Sequence, residues 1–321
     1  MSNHERALVL ILAVALGAFP IRAAQSASWY VGNGDAAALK QTLSSAQGGD
    51  TIIVGPGTYN TAGGFWISKP LHIISEMGPS ATIIANHGFC VGVGGPCYGS
   101  CGFYVQGFSG NFTIRGFTFQ NHSDTGDVPG LFGQGINVVQ VSGTILNNVF
   151  AHNEDGVDVS ESPHVLIADN LFRNNRGDGV SALSADSVEI RSNTFVYNTG
   201  NFWFGGSSAL DVALQNNIIA LASWRNMVIN GNSVTITLLC NDIWSNALHD
   251  YIDSSATYVD AGGNISLDPL FCSGYYLHQD SPCLGANTPS SCNGEHMGCY
   301  PVPCEVAVEK QSWGKIKSIF K

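Results

Sequence analysis

The chain has 321 residues, 44% of them hydrophobic and 12% charged, with 38 glycines and a formal net charge of −11. That apolar fraction excludes a disordered, charge-rich polymer, and scarce charged side chains with abundant glycine favour strands and turns over amphipathic surface helices. The acidic balance argues against nucleic acid and anionic membranes as partners, because nothing would neutralise phosphate. It also makes a polyanionic substrate awkward without a bridging cation.

In chain order, Arg6 precedes an apolar stretch over residues 7–19, followed by Pro20 and the small residues Ala23, Ala24, Ser26 and Ala27. The stretch is shorter than the ~20 residues a membrane span requires and reads as an export signal. Residues 1–27 are therefore expected to be removed, leaving no transmembrane anchor and a secreted, periplasmic or cell-surface protein. Asp35 is the expected N-cap of a short helix over residues 36–46, with Leu39 and Leu43 on one face. The nine cysteines suit a disulfide set in an oxidising compartment: Cys90, Cys97 and Cys101, then Cys240, then Cys272, Cys283, Cys292, Cys299 and Cys304. A zinc site at His87, Cys90, Cys97 and Cys101 is the rival reading, but its spacing is loose. Cys240 with Cys272 is the one bridge expected, and the remaining pairing is open.

The middle of the chain repeats. Five segments place an apolar residue, two spacers, Asn, one spacer and a large apolar residue in the same order. They are Ile145-Asn148-Phe150, Ile167-Asn170-Phe172, Ile190-Asn193-Phe195, Leu214-Asn217-Ile219 and Leu238-Asn241-Ile243, with Asn steps of 22, 23, 24 and 24 residues. A second Asn follows at Asn153, Asn175, Asn198 and Asn246. Alternating stretches such as Val188-Glu189-Ile190, bounded by Asn and Gly, read as strands with one buried face. A coil of 22–24 residues holds about three strands, so stacked coils make a solenoid with apolar columns inside. The Asn column is expected in the turns, where Asn tolerates left-handed backbone and can bond the next coil.

These coils resemble the right-handed parallel β-helix repeats of the pectate-lyase-like superfamily. Gly49-Asp50-Thr51-Ile52-Ile53-Val54-Gly55-Pro56-Gly57-Thr58-Tyr59 is similar to the opening coil of secreted members. Asn264-Ile265-Ser266-Leu267-Asp268-Pro269-Leu270-Phe271 with Ser281-Pro282-Cys283 is similar to their closing segment. The expected architecture is all-β: an export signal (1–27), a right-handed parallel β-helix (28–265) with an N-terminal capping helix, a Cys-rich C-terminal cap (266–304) and a basic amphipathic tail (305–321). Four of the six lysines fall in residues 310–321, interleaved with Trp313, Ile316, Ile319 and Phe320, so the tail suits a sorting tag, an envelope contact or a frayed helix.

The resemblance implies carboxylates on the outer face of adjacent coils. Glu154, Asp155 and Asp158 lie on one coil and Asp178 on the next, with Asp155 and Asp178 each preceding Gly-Val and expected to stack. Asn153-Glu154-Asp155-Gly156-Val157-Asp158 is similar to the Asn-Thr-Asp-Gly-x-Asp coil of polygalacturonases, departing at Glu154. The second Asp pair of that family is reduced to Gly177-Asp178-Gly179, and its Gly-His-Gly and Arg-Ile-Lys elements are absent. In a hydrolase the acids would protonate the leaving oxygen and activate water or attack. In a pectate-lyase-like reading Asp155, Asp158 and Asp178 would hold calcium, and Arg173, Arg176 or Arg191 would take the proton. The structural alternative is that the Asp residues cap turns.

Two longer connections interrupt the coils: residues 123–134, with Asp124 and Asp127, and residues 200–207, a Gly-flanked loop whose Phe202, Trp203 and Phe204 are candidates for stacking on sugar rings. His152, His249 and His296 have no partner pattern and read as surface residues. Two function classes remain open: a surface-associated or carbohydrate-binding β-helix, and a polysaccharide lyase or glycoside hydrolase acting on acidic polysaccharide (polyuronate). The expected partners are a polysaccharide or an envelope component, with the protein itself a monomer.

Overall fold

A computed structural model describes residues 26–61, 64–85, 101–122, 133–231, 233–246, 251–252, 256–300 and 304. Most of the export segment, Cys90, Cys97 and His87 of the zinc alternative, residues 123–132 with Asp124 and Asp127, His249 and the basic tail lie outside them.

The described residues wind into a parallel β-solenoid, and among them three sheets are formed. The first has ten strands, running from Ser28–Val31 to Thr257–Asp260; the second has eight, from Gly57–Asn60 to Asp242–Trp244; the third has eight, from Phe65–Ile67 to Tyr251–Ile252. One coil shows how the sequence does this. Val157–Ser160 lies in the third sheet, Val165–Ala168 in the first and Leu171–Arg173 in the second, before Asp178–Leu183 re-enters the third one level up. Strands such as Val157–Ser160 and Ser187–Arg191 alternate buried and outer residues, and stacking pairs each strand with its counterpart in parallel.

Two apolar columns fill the core. Ile114, Ile145, Ile167, Ile190, Leu214 and Leu238 stand in register on the first sheet. On the second sheet Phe119, Phe150, Phe172 and Phe195 stack with ring centres 5.2, 4.7 and 4.6 Å apart and nearly parallel planes. The next residue in that register is the smaller Ile219, and Phe202 of the third sheet fills the space, 4.7 Å from Phe195. Residues 200–207 therefore do not form a loop. Gly200–Gly205 is a strand, with Phe202 and Phe204 fully buried and only Trp203 facing out.

The asparagines form a hydrogen-bonded ladder. Oδ1 of Asn170 accepts from the backbone N–H of Asn148 at 2.8 Å, and the pattern repeats through Asn193, Asn217 and Asn241 to Asn264. Each amide also donates inward, as Asn170 Nδ2 does to the Ile145 carbonyl at 3.0 Å, so no ladder group is buried unpaired. The left-handed backbone sits one residue earlier than expected, at Asn147, Asp169, Ser192, Asn216 and Cys240, with φ between 52° and 56°. The turn is made by the preceding residue, and the Asn side chain is then free to bond the next coil. Ser192→Gly is accordingly expected to raise stability by up to about 1 kcal/mol in denaturant melts, because Ser pays for positive φ and Gly does not.

The capping helix spans Ala36–Ser45, with Asp35 accepting from the Ala38 N–H at 2.9 Å and Leu39 and Leu43 buried over the first coil. At the other end Cys240 bonds Cys292 and Cys272 bonds Cys304, which corrects the expected Cys240–Cys272 pair. Gly263 makes room for the first bridge, since a Cβ there would lie 2.6 Å from each sulfur. The cap also runs back along the outside of the second sheet. Gly298 donates its N–H to the Asn216 carbonyl and Cys299 to Thr194 Oγ1, and Cys299 packs on Leu171 and Val196. The apolar outward residues there, Leu171, Val196, Ile218 and Ala220, are buried under this cover. The first sheet shows water a polar face, with Glu189 and Arg191 in an exposed ion pair.

Candidate functional site

The outer face of the third sheet carries the acidic cluster, and core packing places it there. A Cβ on Gly156 would meet Phe172 Cδ1 and the Gly179 carbonyl oxygen, each at 2.5 Å, so only glycine lets the strand start pack on the phenylalanine column. Gly135 and Gly179 repeat this against Phe150 and Phe195. The residue before each glycine stands at the outer edge of the strand, where Gln134, Asp155 and Asp178 follow one another up the stack. Two positions beyond the glycine, Asn137, Asp158 and Ser181 form a second outward column, continued in register by Trp203.

Asp155 and Asp178 lie on successive levels, as their common Gly-Val context implied. Asp155 Oδ1 accepts the backbone N–H of Asp178 at 2.6 Å, so it caps the next coil while its other oxygen stays available. Asp178 is almost fully buried, in a two-point ion pair with Arg225, Nη2 to Oδ2 at 2.9 Å and Nε to Oδ1 at 3.4 Å. Between them stands Gly200, where a Cβ would fall 2.1 Å from Asp178 Oδ1 and 3.0 Å from Arg225 Nε. The missing side chain is what lets the pair close across an intervening coil. The Arg225 guanidinium carbon also lies 5.2 Å from the Trp203 ring centre and 4.6 Å from that of Trp224, which braces the Trp203 wall of the groove.

Gln134, Glu154, Asp155, Asp158, Trp203 and Arg225 line an open groove of about 320 Å³. Burial pushes the Asp155 carboxyl up to about 7, with the charges of Asp178, Asp158 and Glu154 adding to the shift. Burial likewise lifts Asp158 to about 6, against a hydrogen bond from Ser160. Asp178 is raised by burial, while Arg225 opposes the shift. In Asp242, under the cap, burial gives about 6. All four carboxyls hold protons more tightly folded than unfolded, where the ordinary value is ~3.9. The native state then binds more protons between about pH 4 and 7, and stability is lost as pH rises through that window. Melting temperature is expected to be higher at pH 5 than at pH 8; a flat or rising profile would contradict this assignment.

The other expected residues are dispersed. Arg173 is on the outside of the second sheet and Arg191 on the first, paired with Glu189; Arg176 is exposed in the turn before Asp178 and does not line the groove. Phe202 and Phe204 are core residues, as above. Among the described residues no three or more His, Cys, Asp or Glu side chains converge to hold a metal ion. With Asp178 committed to Arg225, a calcium set of Asp155, Asp158 and Asp178 does not fit this geometry. Two buried acceptors, Gln134 Oε1 at the groove and Asn137 Oδ1 one level from Asp158, have no hydrogen-bond partner among the described residues. Arg225 was not singled out from the sequence; counting two coil lengths on from Asp178 would have reached it.

A family model described as a right-handed β-helix region matches residues 101–268. Among solved structures, the chain is similar to ORF18 of Geobacillus virus E2, at 12% identity and a TM-score of 0.46, covering 74% of this chain and 60% of that one. It thus spans less than two thirds of the viral protein. It is also similar to pectate lyase Pel9A, at 14% identity and a TM-score of 0.42, covering 86% of this chain and 96% of that one. No curated protein matches the chain significantly.

Proposed function

Because the chain belongs to the right-handed β-helix family, whose members differ in chemistry, we propose a function from the groove itself: hydrolysis of a polysaccharide across the third sheet. The observation that carries this reading is the groove itself, where Asp155 and Asp158 of one coil stand together beside Trp203, and burial raises both carboxyls, Asp155 to about 7 and Asp158 to about 6. Asp155, raised further, keeps its proton to higher pH than Asp158, the division of labour glycoside hydrolysis needs. Asp155 donates its proton to the leaving glycosidic oxygen, while Asp158 activates water or attacks the anomeric carbon. Arg225 holds Asp178 and the Trp203 wall in place, and Trp203, 37% exposed, offers a ring face to a sugar.

A lyase is less well supported, because Arg225 is committed to Asp178 and the other arginines considered lie outside the groove. The second reading is carbohydrate binding without cleavage, favoured by the hydrogen bond that makes Asp155 a turn cap. Incubation with polygalacturonate, alginate and xylan separates the three. New reducing ends without ultraviolet-absorbing product support hydrolysis. Unsaturated product means a lyase, and neither signal leaves binding.

Export is part of the same proposal. Two disulfides suit an oxidising compartment, and among the described residues no helix is long and apolar enough to cross a membrane. Mass spectrometry of the protein from its native host should find the segment ahead of Ser28 removed.

A further inference from the structure

The outward column that contains Asp158 does not end at the groove. In register it runs from Trp203 through Ser181, Asp158 and Asn137 to Tyr104 and Trp66. Successive members stand on neighbouring strands, about 4.8 Å apart, close to the length of one pyranose unit in an extended chain. The centre of the column is polar and both ends are aromatic. Trp66 is 43% exposed, and its ring centre lies 4.6 Å from that of Tyr104. Beside Trp66 is a depression lined by Lys40, Ser68 and Lys69, and these are the chain's two lysines outside the tail.

We propose that Trp66 and Tyr104 form a remote sugar-stacking platform, three and two coils from Asp158 respectively, that makes the protein select long chains over short ones. This rests on the hydrolase reading for its substrate class but not for its geometry. A glycan lying along the solenoid axis with one ring at Asp158 sets its next unit beside Asn137. The following two units reach Tyr104 and Trp66, whose rings supply the apolar faces on which pyranoses stack. Lys40 and Lys69 make this end of the track its basic end in an otherwise acidic protein, so an acidic unit is accommodated there better than beside Asp155 and Glu154.

The test uses affinity electrophoresis of the full mature chain through gels containing polygalacturonate, alginate or xylan, with Asp155→Asn as the parent so that the polymer is not consumed. At least one polymer should retard the parent. Trp66→Ala should weaken that retardation about tenfold in apparent Kd, the loss of one stacked ring, and Trp66→Phe should restore most of it. In the cleaving protein, Trp66→Ala should raise KM for the polymer and leave turnover of a trisaccharide, too short to span from Asp158 to Trp66, unchanged. Equal retardation of parent and Trp66→Ala overturns the platform, as does an equal loss on the trisaccharide. If the wild type leaves every polymer intact while Trp66→Ala still weakens retardation, the hydrolase reading falls and the platform stands. If it cleaves but Trp66→Ala changes nothing, the reverse holds.

Discussion

Asp155→Asn is expected to lower hydrolysis by about 10²–10⁴-fold, the usual worth of a positioned general acid, while the protein remains folded. The two halves of that expectation come from different atoms. Asparagine keeps an oxygen where Asp155 Oδ1 accepts the Asp178 amide, so the cap on the next coil survives. It carries no transferable proton, so the leaving oxygen departs unprotonated. Substitution also removes a carboxyl whose ionisation is opposed by burial and by three neighbouring acids. At pH 8 the variant should therefore melt no lower than the wild type, and higher if burial is the larger contribution. Parallel melting and turnover measurements decide between the readings. A variant that loses stability and keeps its turnover would make Asp155 a turn cap and nothing more.

Phe172→Ala is expected to destabilise the solenoid by about 3–5 kcal/mol, the range for removing a buried aromatic ring. Phe172 lies between Phe150 and Phe195 at 4.7 and 4.6 Å, so its removal breaks two stacks at once. The cavity cannot collapse easily, because the coils above and below are held at fixed spacing by the ladder bonds of Asn170 and Asn193. Gly156 loses the ring it was shaped to receive, and with it goes the constraint that places Asp155 at the strand edge. Denaturant titration should show the loss of stability, and activity should fall although no groove residue has been touched. A loss below about 1 kcal/mol would mean that the column is not a load shared between coils.

What the sequence made legible was whatever recurs once per coil. The isoleucine and phenylalanine columns and the Asn ladder repeat often enough for their register to be counted, and the Asp-Gly-Val context put Asp155 and Asp178 on adjacent levels. Features without a period were hidden. The left-handed position is occupied by Asn, Asp, Ser and Cys in turn, so composition does not mark it. Phe202-Trp203-Phe204 alternates as a strand should, but flanking glycines suggested a loop; those glycines serve an ion pair at Gly200 and a close approach to the Asn230 carbonyl at Gly205. The Asp178–Arg225 pair spans two coils, beyond the reach of local motifs. The cap has no repeat at all, and its path along the second sheet, which sets Cys292 against Cys240, follows from tertiary packing.

If Asp155 works as a protonated acid beside an ionised Asp158, the pH dependence of kcat/KM on whichever polymer is cleaved shows it most directly. The profile should be a narrow bell, its acidic limb near 6, where Asp158 must ionise, and its alkaline limb near 7, where Asp155 loses its proton. In Asp155→Asn the alkaline limb should disappear from the residual activity. A wild-type rate still rising above pH 8, or an alkaline limb unchanged in the variant, would show that Asp155 is not the acid.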